Sequence, residues 1–183
     1  MRGSGNGSRR LVRRPFGALS AVGTAAHHAF EVAAGVGLVF EPWLGRRGAT
    51  AYWSAFLPGF LLIAARGSTR WDGAIAFNAG ASLAGALVHY ALWPWSLRKG
   101  VPVLDEAEGM TEDQLPAYNA ILVGWALASA LALAREVPPS KRRWAAAGLC
   151  MGEPFRRSAR HHFEWAREQA KLHPDEWSAA LRD

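Results

Sequence analysis

The sequence predicts an all-α protein: an antiparallel four-helix transmembrane bundle, both termini cytoplasmic, with a short cytoplasmic helical tail. Three observations lead there. Residues 49–65, 73–97 and 114–134 contain no Asp, Glu, Lys or Arg, although 20% of the 183 residues are charged. Runs of that length match the ~20 residues that cross a bilayer core. With the amino terminus inside, 17 of the 21 Lys and Arg fall on the cytoplasmic side and 4 outside, which is the positive-inside bias. Aromatic residues also sort by depth: Trp43, Tyr52, Trp53, Trp93, Trp95 and Tyr118 fall at expected outer ends, Trp71 and Trp144 at inner ones, where interfacial rings are favoured.

The elements follow in order. Residues 1–14 are Gly, Ser and Arg with little apolar content and read as a disordered basic cytoplasmic lead. Pro15 suits the first turn of a helix, and the first span covers about 15–41. A secretory signal is its rival, with a basic start and an apolar stretch to Ala26. No small-residue cleavage site ends that stretch, and apolar sequence resumes at Val32. The second span covers 49–65, with a kink expected at Pro58-Gly59. The third covers 73–94 and the fourth 116–135, so the transmembrane domain is 15–135. Residues 98–115 form an acidic outer connection whose spacing is not that of a calcium loop. Residues 136–183 form a cytoplasmic amphipathic tail: Phe155, Ala159, Phe163, Ala166 and Ala170 recur at helical spacing, with Arg156, Arg157 and Arg160 among the basic residues around the other side.

Composition removes several function classes. A single cysteine, Cys150, excludes a disulfide scaffold. The net charge of +6 is concentrated at the inner side, so it reads as attraction to anionic inner-leaflet headgroups rather than to nucleic acid. The expected location is the cell (plasma) membrane, multi-pass.

Polar residues within apolar helices are costly and mark candidate sites. Ser20, Thr24, His27 and Glu31 share one face of the first helix; Asn78, Ser82, Gly85 and His89 share one face of the third. At about 1.5 Å per residue, Glu31 and His89 stand at about 22 and 24 Å along their helices. The expectation is that these helices face each other, that Glu31 meets His89, and that His27 lies one turn deeper. The intramembrane polar site is therefore His27, His28, Glu31, Asn78, Ser82 and His89. A small-residue ladder (Gly17, Ala21, Ala25, Ala29, Ala33, Gly37) accompanies it and favours close packing.

Three functional readings follow. The leading one is a non-enzymatic accessory or ion- or small-molecule-handling component, docked to a membrane-protein partner or a second copy. The second is a haem- or quinone-linked electron-transfer subunit, with haem b held between His89 and His27, or His28 in its place. The third is a lipid-directed membrane enzyme with Glu31 or His28 as base. No metal is expected, because adjacent His27 and His28 diverge by about 100° on a helix. His161 and His162 are expected on the surface of the tail. Glu31→Gln should be more damaging than Glu41→Gln, since Glu41 sits at the outer interface.

Overall fold

The computed structural model describes residues 14–182. It is largely helical: α1 (Pro15–Ala33), α2 (Glu41–Arg66), α3 (Asp72–Leu92), α4 (Leu115–Arg135), α5 (Arg142–Leu149) and α6 (Gly152–Leu172), with a hairpin of β1 (Trp95–Arg98) and β2 (Val101–Leu104). Three helices, α2, α4, and α3 with the 3-10 turn that precedes it, are long and apolar enough to cross a membrane. The expected basic lead lies outside the described residues except for Arg14. That residue is buried, pairs with Asp72 and donates to the Glu136 carbonyl at 3.3 Å. The Glu136 carboxylate in turn accepts from Phe16 N and Gly17 N, each at 2.8 Å. It thereby fills the role of a cap for a helix start that has none of its own.

Several boundaries differ from expectation. The first helix stops at Ala33, because the chain turns through Gly35 and Gly37 at φ 76° and 85°, a region that glycine enters without a Cβ clash. Gly35 also meets the far end of the chain: its carbonyl accepts Ser178 N at 2.9 Å. The second helix starts at Glu41, so most of the expected outer turn is helical. Its break lies at Gly45 (φ 64°, ψ 168°) rather than at Pro58. The connection expected at 98–115 begins inside a hairpin. Lys99 and Gly100 both have positive φ, the geometry of a tight two-residue turn whose twist suits a hairpin. Asn119 of α4 anchors that hairpin, accepting from Leu104 N at 2.7 Å and donating to Leu104 O at 3.1 Å.

The helices close into a ring in the order α2, α1, α4, α3, α6 and back to α2, with α5 preceding α6 along α3. The sequence places residues 136–183 outside the bundle; the structure packs them into it. Trp144 lies beside Gly73, Phe155 near Gly85, Phe163 edge-on to Trp93 at 5.3 Å, and Arg167 pairs with Glu108. The segment therefore runs in the same direction as α3 along its whole length. Trp177 and Leu181 end among Gly35, Val36, Gly37 and Gly109. Arg14 and Ser178 thus sit at opposite ends of α1, a 19-residue helix about 28 Å long.

Two glycines make this docking sterically available. A Cβ on Gly148 would lie 2.0 Å from Phe77 O, and one on Gly80 would lie 2.2 Å from Ala145 O. Backbone meets backbone there, as in close membrane-helix crossings. The ladder on α1 serves no single seam: Ala21 is buried, whereas Ala29 and Ala33 are exposed. The close approach of α1 to α4 is instead at Gly23, whose Cβ would lie 2.9 Å from the Trp125 side chain.

Outward faces divide by chemistry. α2 exposes Leu44, Tyr52, Phe56, Leu61 and Leu62, and α4 exposes Leu127 and Leu131. α6 turns Phe163, Ala166 and Ala170 inward and exposes Arg157, Arg160, Glu164 and Glu168.

Candidate functional site

The ring encloses a cavity of about 360 Å³, bounded by α1, α2, α3 and α6 with Trp125 of α4. All six residues singled out from sequence line it: His27, His28, Glu31, Asn78, Ser82 and His89. Their polarity is confined to a few positions, and the remaining wall includes Phe56, Phe77, Val88, Phe155 and Phe163.

Glu31 organises the polar part. His27 Nε2 lies 3.3 Å and His28 Nδ1 3.4 Å from the same carboxylate oxygen, Oε2. The other oxygen, Oε1, accepts from the Tyr118 hydroxyl at 3.1 Å. The 100° between adjacent helix positions points the two histidines apart. The relevant geometry is each one's distance from Glu31: positions three and four residues apart are both neighbours on a helix surface. His27 and His28 therefore flank Glu31 from two sides.

His89 is near Glu31 but packs on His27, ring centroids 4.7 Å apart and 86° between planes. The expected direct Glu31–His89 contact is replaced for a physical reason. His89 Nδ1 is committed to Gly85 O at 2.8 Å on its own helix, and Tyr118 from α4 takes the free carboxylate oxygen. Deeper in, Asn78 donates to Ser82 Oγ at 3.1 Å. Below the cavity Ser20 and Ser129 share a hydrogen bond of 2.8 Å that ties α1 to α4.

The haem arrangement fares differently. Two axial nitrogens at ~2.0 Å from one iron put imidazole centroids roughly 6.3 Å apart on opposite faces of the ring. His27 and His89 are in edge-to-face contact at 4.7 Å with no plane between them. They do not fit as an axial pair without separating by about 1.6 Å.

Other residues of the site escaped the sequence reading. His162, expected at the surface, is 3% exposed and pairs through Nε2 with Val36 O at 3.0 Å; its neighbour His161 is exposed beside Trp43. Trp53 and Tyr118 fall in the outer aromatic belt by sequence. Trp53 instead packs on His28 at 4.0 Å between centroids, and Tyr118 is 1% exposed. A signal existed for His162: it stands three residues after Ala159 and four before Ala166 of the α6 stripe, spacings that share a helix face. Glu41 also departs from expectation, being buried and accepting Leu38 N at 3.0 Å.

Seven buried side-chain nitrogen or oxygen atoms have no hydrogen-bond partner among the described residues, and five belong to residues lining this cavity: His27 Nδ1, Trp53 Nε1, Trp125 Nε1, Ser158 Oγ and His162 Nδ1. Folded proteins satisfy nearly all such groups, so a cluster of exceptions around one cavity is informative. Beside it, a wider groove of about 840 Å³ between α2 and α6 shares Phe40, Tyr52 and Ser158 with the cavity wall.

The chain matches no known protein family, and no curated protein or solved structure is similar to it.

Proposed function

We propose that this protein is a membrane-embedded binder of a small, largely apolar molecule, whose polar end is read by His27, His28, Glu31 and His89. The observation that carries this reading is the concentration of unpartnered buried donors and acceptors around one apolar-walled cavity. The cavity volume falls at the lower end of ordinary ligand pockets, about 300–1,000 Å³. The adjoining groove between α2 and α6 gives an apolar molecule a lateral way in from lipid.

In this reading α1 to α4 form four membrane spans, with α1 the least apolar, shielded between α2 and α4, and α5 with α6 make a fifth crossing against α3. The Arg14 end is the cytoplasmic one. Arg66, Arg70, Arg135, Arg142 and Arg143 are exposed there, and Arg70 and Arg143 stack on Trp71 and Trp144 at 5.3 and 5.8 Å. That combination suits anionic headgroups of the inner leaflet of the plasma membrane. Given the docking of α5 and α6 along α3, the carboxyl end then belongs to the opposite side, in place of the cytoplasmic tail expected from sequence. The charged outer row of α6 is no lipid surface, so it supports an accessory role in which a membrane-protein partner or second copy covers it.

Two experiments test this. Protein purified in mild detergent should release a small molecule at close to one per chain on solvent extraction, identified by mass spectrometry. Ala159→Phe, which fills the cavity, should abolish it with helical content unchanged. Absence of any stoichiometric molecule from the wild type would defeat the ligand reading. For orientation, with Cys150→Ser as background, Ala179→Cys should react with an impermeant thiol reagent on intact cells and Ser68→Cys only after lysis. The reverse pattern inverts the topology.

A further inference from the structure

We propose that His27, His28 and Glu31 form a binding site for a divalent transition-metal ion, zinc by its donor set, with one coordination position open to the cavity. The three donor atoms lie within 4.8 Å of one another and all three residues are buried. Two separations are 3.3 and 3.4 Å, from His27 Nε2 and His28 Nδ1 to Glu31 Oε2. Ligand atoms on a tetrahedral ion with bonds of about 2.0–2.1 Å stand about 3.3–3.4 Å apart, the bond length times ~1.63. A charge-assisted hydrogen bond between imidazolium and carboxylate closes to about 2.7–2.9 Å. The two spacings at Oε2 are those of ligands around an ion rather than of a closed ion pair, and the two imidazole donors lie within 4.8 Å of each other.

The surroundings agree. Tyr118 donates to Glu31 Oε1, which leaves Oε2 as the donor and fixes the carboxylate, the usual service of an outer-shell partner. His89 donates Nδ1–H to Gly85 O, so its Nε2 carries a bare lone pair. Backbone-held imidazoles of this kind are common at metal sites. With its ring against His27, His89 can move in as the fourth ligand; a cavity-bound molecule is the alternative occupant. Two imidazoles and one carboxylate suit zinc and its neighbours and disfavour calcium or magnesium, which prefer all-oxygen sites. The ion's binding rests on these three donors alone. Its role as a Lewis acid toward a bound molecule rests on the ligand reading above.

The test uses the full chain in mild detergent, stripped with a chelator and titrated with Zn²⁺, or with Co²⁺ as a visible-absorption probe. The wild type should bind one equivalent, and Co²⁺ should give the intense visible bands of a tetrahedral site. His28→Gln and Glu31→Gln should each weaken binding at least 100-fold, and Tyr118→Phe by 10–100-fold. Glu168→Gln and His173→Ala, both exposed, should leave it unchanged. Ala159→Phe should keep the metal while losing the organic ligand, so the two proposals fail separately. Should a donor variant not fold, zinc-edge X-ray absorption of the wild type decides: about four N/O neighbours at about 2.0–2.1 Å with imidazole scattering is expected. A folded wild type that binds no ion, or binds it equally well without His28 and Glu31, overturns the proposal.

Discussion

Gly148→Ala is expected to detach α5 and α6 from α3 and to cost about 3 kcal/mol, at the upper end of overpacking penalties. The added Cβ would stand 2.0 Å from Phe77 O and 2.7 Å from Ala81 N. Both are backbone atoms within a helix and cannot rotate away, so the two helices must separate. The intrinsic gain from replacing a helical glycine by alanine, about 1 kcal/mol, runs the other way and is smaller. Gly80→Ala should act similarly through Ala145 O at 2.2 Å. The double variant should cost less than the sum, because one separation relieves both clashes. Limited proteolysis near Cys150-Met151, with denaturant unfolding in detergent, measures it. Because Phe163 and His162 would leave the cavity wall, the extracted ligand should disappear too. Unchanged proteolysis and unfolding would mean that the tail is not packed as described.

Glu31→Ala is the second large effect, expected to cost about 3–5 kcal/mol, the range for removing one partner of a buried charged set. It strands three groups at once: the Tyr118 hydroxyl and the two imidazoles that face Oε2. Each buried polar group left unpaired costs about 1–3 kcal/mol. Tyr118→Phe removes one of these hydrogen bonds and should cost only about 1 kcal/mol. The control is Glu168→Gln on the exposed face of α6, expected within about 0.5 kcal/mol of wild type. Glu41→Gln is no control, despite the sequence expectation, since Glu41 is buried and holds Leu38 N. Equal unfolding transitions for Glu31→Ala and Glu168→Gln would remove Glu31 from its organising role.

The candidate site shows where sequence reasoning reaches its limit. His27, His28, Glu31, Asn78, Ser82 and His89 stand out because a polar group in an apolar helix is costly wherever that helix packs; all six line one cavity. Their pairing was not readable in the same way. Rise per residue gave Glu31 and His89 equal depth, but depth along two axes does not say which ring meets which. Tyr118 and Trp53 look like belt aromatics in sequence, since the amphipathic body that suits an interface also suits a polar cavity wall.

What the residues determined by themselves was local: the apolar lengths of α2, α3 and α4, the proline starts of α1 and α4, and the period of the α6 stripe. Each depends on solvent preference and on neighbours three or four positions away. Tertiary structure alone decided that α6 closes the ring, so that its apolar face with His162 meets protein, and that His27 and His28 share one oxygen. A basic amphipathic helix carries the same sequence pattern whether its apolar face meets lipid or protein. The choice here came from two glycines on different helices, Gly80 and Gly148, whose missing Cβ atoms matter only once their backbones are in contact.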